Sequence, residues 1–478
     1  MGDSLKKIPV KVIASNTPEA AEVQDLYEVR KKIYPRYISG LFNNWRIAMV
    51  VITQLFFYGV PWLQWNGRQA MLFDLVNRKF YIFGYVFWPQ DFALLAGLLV
   101  LCAFGLFWWT AIAGRLWCGY ACPQTVYTEI FLWIENWVEG DRNKRMKLDA
   151  APNSFTKFRL KATKHGLWLL LSFWTGFTFV GFYTPIQSLW NELISFSLGP
   201  WEAFWVGFYG FATYGNAGFM REQVCKYMCP YARFQSVMFD RDTLVISYDT
   251  ERGEPRGSRG KKVDHKAEGM GDCINCSICV QVCPTGIDIR EGLQYECIGC
   301  AACIDACDQV MDKMGYQRGL IRYTTENALE HKYEESQFLR RLLRPRVMVY
   351  TVLLAVISAA MIATLALRVP LKLNVTRDRA TLVRETDDGL LENLYQLQII
   401  NTDEKAHTYQ ISATGLTGLK LIADTRVSVP AGSAFNVPAN IQVDPADIGR
   451  GTKQVTFKVE AVDDAKVAIE HTTSFITR

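Results

Sequence analysis

Eight of the chain's thirteen cysteines fall in two runs, Cys273-x2-Cys276-x2-Cys279-x3-Cys283-Pro284 and Cys297-x2-Cys300-x2-Cys303-x3-Cys307. A four-iron cubane needs four thiolates around one centre. Two-residue spacing draws three of them from one tight turn, and the fourth comes from the other run. The spacing therefore assigns Cys273, Cys276, Cys279 and Cys307 to one [4Fe–4S] cluster, and Cys297, Cys300, Cys303 and Cys283 to the other. A disulfide framework or zinc ribbon uses paired motifs rather than two matching runs of four. The expected chemistry is electron transfer.

Four further cysteines form an internal repeat, Trp117-Cys118-Gly-Tyr-Ala-Cys122-Pro123 and Val224-Cys225-Lys-Tyr-Met-Cys229-Pro230. Within a helix this spacing sets two sulfurs one turn apart on one face. A proline at the next position suits the first turn of a helix. A helix N-terminus lowers thiol pKa, so these cysteines are expected to be thiolate-like. Soft thiolates select Cu(I), zinc or iron–sulfur groups. Three readings stand: one metal or redox site built from both pairs, two dithiol/disulfide couples, or small buried hydrophobes. Cys102 on its own suits the last. Arg115 and Arg221, just upstream of the pairs, either hold thiolate charge or snorkel to lipid phosphates, and snorkelling is the simpler expectation.

These motifs need a membrane to position them. Five uncharged stretches are long enough to cross a bilayer core as helices: Ile47–Trp65, Phe92–Ile112, Leu167–Ile186, Ala203–Met220 and Val347–Leu367. Residues 1–45 carry no apolar signal-peptide core. Eight Lys and Arg precede the first stretch (Lys6, Lys7, Lys11, Arg30, Lys31, Lys32, Arg36, Arg46), three lie in 66–91 and nine in 113–166, including Arg142, Lys144, Arg145 and Lys147. None lies in 187–202, and Arg340, Arg341, Arg344 and Arg346 precede the last stretch. A cytoplasmic N-terminus satisfies this pattern and sends the C-terminal region to the periplasm. Apart from Cys102, the cysteines then sit on the reducing side. Spans one and two with the first motif echo spans three and four with the second, as in a parallel repeat about the membrane normal that gathers the four thiols at the cytoplasmic boundary.

The remaining stretches read more blandly. Glu129, Glu135 and Glu139 suit the solvated face of an amphipathic stretch. The segment Glu251–Gly271, with Arg252, Arg256, Arg259, Lys261 and Lys262, reads as a mobile link or a contact with anionic headgroups. Recurrent tryptophans such as Trp62, Trp65, Trp88, Trp108 and Trp109 suit membrane interfaces. The net charge of +5 calls for no nucleic acid. In the tail, Tyr395-Gln-Leu-Gln-Ile and Val455-Thr-Phe-Lys-Val alternate with period two between turn clusters, which predicts an immunoglobulin-like sandwich. His407 and His471 read as lone surface histidines.

Taken together, the domains are expected at 1–44 (cytoplasmic segment), 45–240 (membrane domain with both Cys-x3-Cys-Pro motifs), 241–346 (ferredoxin module), 347–367 (fifth span) and 368–478 (periplasmic β domain). The fold class is a five-helix transmembrane bundle with an internal two-helix repeat, a bacterial-type 2[4Fe–4S] ferredoxin module and a C-terminal immunoglobulin-like β-sandwich.

The run Pro61-Trp-Leu-Gln-Trp-Asn-Gly-Arg-Gln-Ala, the two Cys-x3-Cys-Pro motifs, Arg252-Gly-Glu-Pro-Arg-Gly and the two ferredoxin runs together resemble the cytochrome oxidase accessory family called FixG, RdxA or CcoG. The second ferredoxin run ends in Cys307-Asp308 rather than Cys-Pro, which changes a turn and not a ligand. The resemblance implies an inner-membrane oxidoreductase with two [4Fe–4S] clusters that takes part in cbb(3)-type cytochrome c oxidase assembly and reduces Cu(II) to Cu(I). Carried onto this chain, Cys118, Cys122, Cys225 and Cys229 handle copper. The implied partners are membrane lipids, a cytoplasmic electron donor, copper, and oxidase assembly factors or copper chaperones; a homodimer through the spans is compatible with this picture. Two other readings are a quinol-linked electron-transfer subunit of the nitrate-reductase polyferredoxin kind, and a non-enzymatic scaffold with redox-sensing clusters.

Overall fold

A computed structural model describes residues 32–261, 263–264, 266–332, 343–378, 383–449, 451–464 and 466–477. Lys6, Lys7, Lys11, Arg30, Lys31, Lys262, Arg340 and Arg341 lie outside the described residues, as does most of the 1–44 segment. The described residues divide between two units, one within 32–60, 99–180 and 190–356 and the other within 61–98, 181–189 and 357–477.

In the first unit, α1 (Leu41–Gly59) is followed by α2 (Phe92–Ala113), which enters from the second unit, and by a short α3 (Leu116–Tyr120). Then come α4 (Pro123–Glu139), α5 (Arg142–Ala150), α6 (Phe155–Val180) and α7 (Pro200–Thr213). Wide π-type turns at Tyr214–Met220 and Val224–Met228 lead into α8 (Pro230–Met238). Helices α6 and α7 pack through glycines. A Cβ on Gly176 would lie 2.3 Å from the Val206 carbonyl oxygen, and one on Gly210 would lie 3.3 Å from that of Ser172. Small residues let helix backbones approach this closely where packing rather than water drives association.

Among the described residues two helices are long and apolar enough to cross a membrane, Pro89–Ala113 and α11 (Pro345–Ala366), and almost none of their surface is covered by protein. The other three apolar stretches are helical over different bounds. The first is helical only to Gly59, the end of α1, and runs on into a 3₁₀ turn and the strand Gln64–Trp65, which pairs with Arg68–Gln69. The third ends at Val180, six residues short of its expected end, and a new helix starts at Ile186. The fourth loses α-geometry after Thr213. Hydropathy alone does not mark where a helix breaks. Cys102 is exposed on α2 rather than buried; on a helix this bare of protein cover, the small apolar side chain faces outward.

The ferredoxin module pairs strand Val245–Tyr248 with Ile321–Thr324 and adds α9 (Ile278–Val282) and α10 (Ala302–Met314). It grips α1 directly. Asp305 accepts from the backbone N–H groups of Phe42 (3.2 Å) and Asn43 (2.8 Å), capping the otherwise unsatisfied N-terminus of α1. The basic segment expected to be a mobile link is instead tied to the module. The Arg252 Nε donates to Asp272 at 2.6 Å, and the Arg259 guanidinium lies 5.5 Å from the Tyr316 ring centre. These arginines meet fixed carboxylate, carbonyl and ring partners, which restrain the backbone that carries them.

In the second unit, Met71–Asp74, Lys79–Ile82 and Tyr85–Phe87 form a small antiparallel sheet where the sequence reads as a loop. The C-terminal strands are β1 (Leu371–Arg377), β2 (Arg384–Glu385), β3 (Leu391–Asn401), β4 (His407–Thr414), β5 (Lys420–Ala423), β6 (Arg426–Val429), β7 (Ala434–Val443), β8 (Thr452–Ala461) and β9 (Ala468–Ile476). They make two sheets, ordered β5-β7-β3-β1 with β2 on β3, and β6-β4-β8-β9. Leu397, Ile399, Ile441, Val455, Phe457 and Phe475 are fully buried between them. The alternation read from β3 and β8 is therefore real, with each second residue turned to the core. His407 is neither lone nor superficial. It is 7 % exposed, with Nδ1 2.6 Å from Asp463 and Nε2 3.0 Å from Asp403. His471 is half-buried on β9.

Candidate functional site

The two ferredoxin runs adopt the same backbone trick. In the first, Asn275 and Ser277, either side of Cys276, have φ of 54° and 56°. In the second, Gly299 and Ala301, either side of Cys300, have φ of 69° and 60°. Left-handed conformations at three non-glycine residues are strained. They wrap each loop around a concave space; successive turns of this kind form backbone nests that bind iron–sulfur groups. One cavity is lined by Cys273, Cys276, Cys279 and Cys307, within an apolar wall of Ile278, Val310, Met311 and Leu320. A second is lined by Cys283, Cys297, Cys300 and Cys303, with Cys279 between the two. Each cavity thus gathers three thiols of one run and the outlying thiol of the other. Among the described residues no three thiols, imidazoles or carboxylates close on a point as a single metal ion requires. The thiols ring cavities instead, which fits a polynuclear group.

Cys279, Cys297 and Cys307 resist ionisation. Burial pushes Cys297 and Cys307 up to about 12 and Cys279 up to about 11. Binding a cationic group must displace those protons.

In the Cys-x3-Cys-Pro motifs, Cys118 rides on α3 and Cys225 on the second π-type turn. Cys122 and Cys229 are the N-cap residues of α4 and α8, with ψ of 127° and 109°, and Pro123 and Pro230 open those helices. The prolines sit where expected, but the paired cysteines do not share one helix face. The residue before a proline is pushed out of the α region, so each pair straddles a break. Nor are Cys118, Cys122 and Cys225 thiolate-like. Burial pushes Cys118 up to about 12 and Cys225 up to about 11, and raises Cys122 as well, outweighing the helix N-termini.

Each motif is braced by the other. Arg115 Nη2 donates to the carbonyl of Ala232 on α8, and Arg221 Nη2 donates to Glu135 on α4 at 3.1 Å. The Cys118 thiol donates to Gln235 Oε1 at 3.4 Å. Gln124 Nε2 donates to the carbonyls of Asn216 (3.0 Å) and Arg221 (3.1 Å). These crossed contacts bring the two motifs side by side.

The arginines and glutamates correct the sequence reading. Arg115 and Arg221 are buried rather than reaching for phosphates. Glu135 is 1 % exposed and pairs with Arg145 (3.2 Å), Lys164 (3.4 Å) and Arg221 (3.1 Å). Glu139 pairs with Lys161 and Lys164, and Glu129 with Arg46. The polar side of α4 faces its neighbouring helices, not water. Desolvation alone raises the Glu135 pKa, but the cations Arg221, Lys164 and Arg145 pull it below its usual value.

One junction was not foreseen. A Cβ on Gly119 would lie 2.7 Å from the Gly299 carbonyl oxygen and 2.9 Å from the Cys300 amide nitrogen. The backbone beside Cys118 therefore rests on the loop of the second iron–sulfur cavity. Cys118 itself packs on the layer formed by Val282, Ile298, Cys300, Ala302 and Ala306. A sequence signal existed: glycine follows the first cysteine in one motif, where lysine follows it in the other.

Comparison with known proteins settles the relationship. Along 443 residues the chain is 39% identical to the nitrogen fixation protein FixG of Rhizobium meliloti, covering 86% of this chain and 84% of that one. The chain belongs to the FixG/RdxA family. RdxB and RdxA of Cereibacter sphaeroides are 40% and 38% identical, each across 87% of this chain and 89% and 88% of their own. Three family models match: a 4Fe-4S binding domain over residues 95–145, a 4Fe-4S dicluster domain over 220–326, and the IG-like fold at the C-terminus of FixG over 361–478. A crystal structure of a FixG-related protein from Vibrio parahaemolyticus is 25% identical over 23% of this chain and 97% of its own, with a TM-score of 0.21. The family makes this chain an iron–sulfur redox protein with an immunoglobulin-like C-terminal domain.

Proposed function

We propose that this chain is a membrane-bound iron–sulfur electron carrier that acts as a cupric reductase, turning Cu(II) into Cu(I) for assembly of a cbb(3)-type cytochrome c oxidase. Cys273, Cys276, Cys279 and Cys307 would hold one [4Fe–4S] group, and Cys283, Cys297, Cys300 and Cys303 the other. When bound, such groups supply one electron at a time with no accompanying proton. Cu(II) takes up one electron and nothing else, so no general acid or base is required. Cys118, Cys122, Cys225 and Cys229 receive the copper, because thiolates in a partly apolar setting favour Cu(I). The observation that carries this reading is the Gly119–Cys300 backbone contact, which sets a soft thiol beside a redox cavity.

In this reading five spans place the N-terminus and ferredoxin module in the cytoplasm with their electron donor. The β domain lies in the periplasm, beside oxidase assembly factors or copper chaperones. Anaerobic mixing of the reduced protein with Cu(II) tests it, following cluster absorbance and chelated Cu(I) together. Wild-type clusters should oxidise in step with Cu(I) formation, while the Cys118/Cys122/Cys225/Cys229→Ser variant keeps its clusters and stalls. Equal rates in the two proteins would remove the four thiols from the path. A second reading, a third iron–sulfur group on these four thiols, is favoured by the 4Fe-4S binding model over residues 95–145, which contain Cys118 and Cys122. Iron analysis of the Ser variant decides it: a loss of about four irons per chain at a four-thiolate site supports the third group. Purified wild type that carries quinone and leaves Cu(II) unreduced would instead favour the quinol-linked subunit.

A further inference from the structure

The two iron–sulfur cavities are not equivalent neighbours of the Cys-x3-Cys-Pro thiols. The Cys297 loop approaches both motifs. Glu296 reaches Lys226 at 4.0 Å, a Cβ on Gly299 would lie 3.1 Å from the Arg115 carbonyl oxygen, and the Cys300 backbone lies against Gly119. The Cys273 loop turns the other way. A Cβ on nearby Gly271 would lie 2.4 Å from the Gly253 carbonyl carbon, Arg259 bonds the Gly271 carbonyl, and Cys276 is exposed.

Arg115 sits at this junction. It is 6 % exposed, Nη2 donates to the Ala232 carbonyl, and Nε has no hydrogen-bond partner. Its backbone touches the Cys297 loop, three residues before Cys118. The other cations near the cavities are either paired or partly open to solvent, as is Arg259, which bonds the carbonyls of Gly271 and Cys273. Arg46, which packs near Cys300, is bonded to Glu129, and Arg290, which reaches Asn275 in the first loop at 2.6 Å, is bonded to Asp288 at 2.6 Å. Among the described residues no carboxylate pairs with Arg115. An unneutralised buried cation favours the more negative, reduced state of any redox group beside it.

We propose that Arg115 sets the direction of electron flow. It raises the reduction potential of the iron–sulfur group held by Cys283, Cys297, Cys300 and Cys303 above that of the group held by Cys273, Cys276, Cys279 and Cys307. The exposed Cys276 side is then the entry and the Cys300 side the exit toward Cys118. One electron passes from the outer group, which is oxidised, to the inner group, which is reduced; no bond changes and no proton moves. The inference rests on both cavities loading iron–sulfur groups, as proposed above, but not on copper being the acceptor.

The test is a redox titration of the full-length, anaerobically iron-loaded protein, followed by EPR. Arg115→Gln should lower one midpoint potential and leave the other in place. In a Cys276→Ala background, which removes the outer group, the shifted signal should persist. Arg290→Gln should move the other midpoint instead. Should Arg115→Gln lose its iron, Arg115→Lys serves, because an ammonium on a shorter reach should lower the same midpoint by less. The proposal fails if loaded Arg115 variants keep both midpoints, or if the shifted signal is the one that Cys276→Ala abolishes. No arm contains copper, so a wild type that fails to reduce Cu(II) would overturn the proposed function and leave this result intact.

Discussion

Replacing Glu135 with glutamine separates a buried charge cluster from a solvated face. Glu135 is 1 % exposed and stands within 3.4 Å of Arg145, Lys164 and Arg221. Lys164 keeps a second partner in Glu139 at 2.8 Å, but Arg145 and Arg221 have no other carboxylate among the described residues. Glutamine preserves shape and some hydrogen bonding, yet strands two buried cations. Removing one partner of a buried pair costs about 3–5 kcal/mol, against about 0–1 kcal/mol for an exposed one. Thermal unfolding in detergent, read by far-ultraviolet circular dichroism, measures the difference.

The pH dependence carries a sign. The carboxyl's pKa in the folded protein lies below its usual value, so its contribution is present in full above pH 4.5 and is lost as pH falls through the folded value. The gap between wild type and Glu135→Gln should therefore be full at pH 7 and close only in acid. The double variant Glu135→Gln/Arg145→Met should recover part of the loss, because it removes one stranded cation. A Glu135→Gln protein within about 0.5 kcal/mol of wild type at pH 7, the range of ordinary surface changes, would refute the buried-cluster argument.

Other consequences are directly measurable. Gly119→Ala places a methyl 2.7 Å from the Gly299 carbonyl, so it should slow Cu(II)-driven cluster oxidation at unchanged iron content, whereas Gly105→Ala, which meets nothing within 4 Å, should not. In the apo protein Cys118 and Cys225 should alkylate slowly at pH 8 and faster above pH 10, since burial raises both thiols; rapid reaction at pH 8 would contradict it. Phe457→Ala should cost the β domain about 3–5 kcal/mol, read as lost amide-exchange protection in β4 and β8. His407 is desolvated, yet Asp403 and Asp463 together hold its pKa above 6.5. Its stabilisation is then complete below pH 6.5 and fades as pH rises through the folded value, which titration of its ring resonances by NMR would reveal.

Ligand spacing was legible because it is local chemistry. Two-residue gaps between Cys273, Cys276 and Cys279 allow one loop to surround a cluster, whatever the rest of the chain does. The alternation of Tyr395–Ile399 and Val455–Val459 likewise follows from strand geometry. The reading of Glu135 failed for the opposite reason. A polar stripe on α4 announces that something polar faces it, and the pattern is the same whether that is water or Arg145, Lys164 and Arg221. His407 failed similarly, since Asp463 is fifty-six residues away in sequence.

The sequence by itself determined the redox cofactors to expect, the apolar stretches, the Pro-led helix starts and the sandwich core, all set by spacing, composition or short-range sterics. Only the tertiary structure decided which iron–sulfur loop meets Cys118, why Gly119 carries no side chain, and which cations go unneutralised. Those features depend on backbones distant in sequence meeting within van der Waals reach, and on burial, which turns a thiol or a guanidinium from an ordinary surface group into a strongly shifted or strongly felt charge.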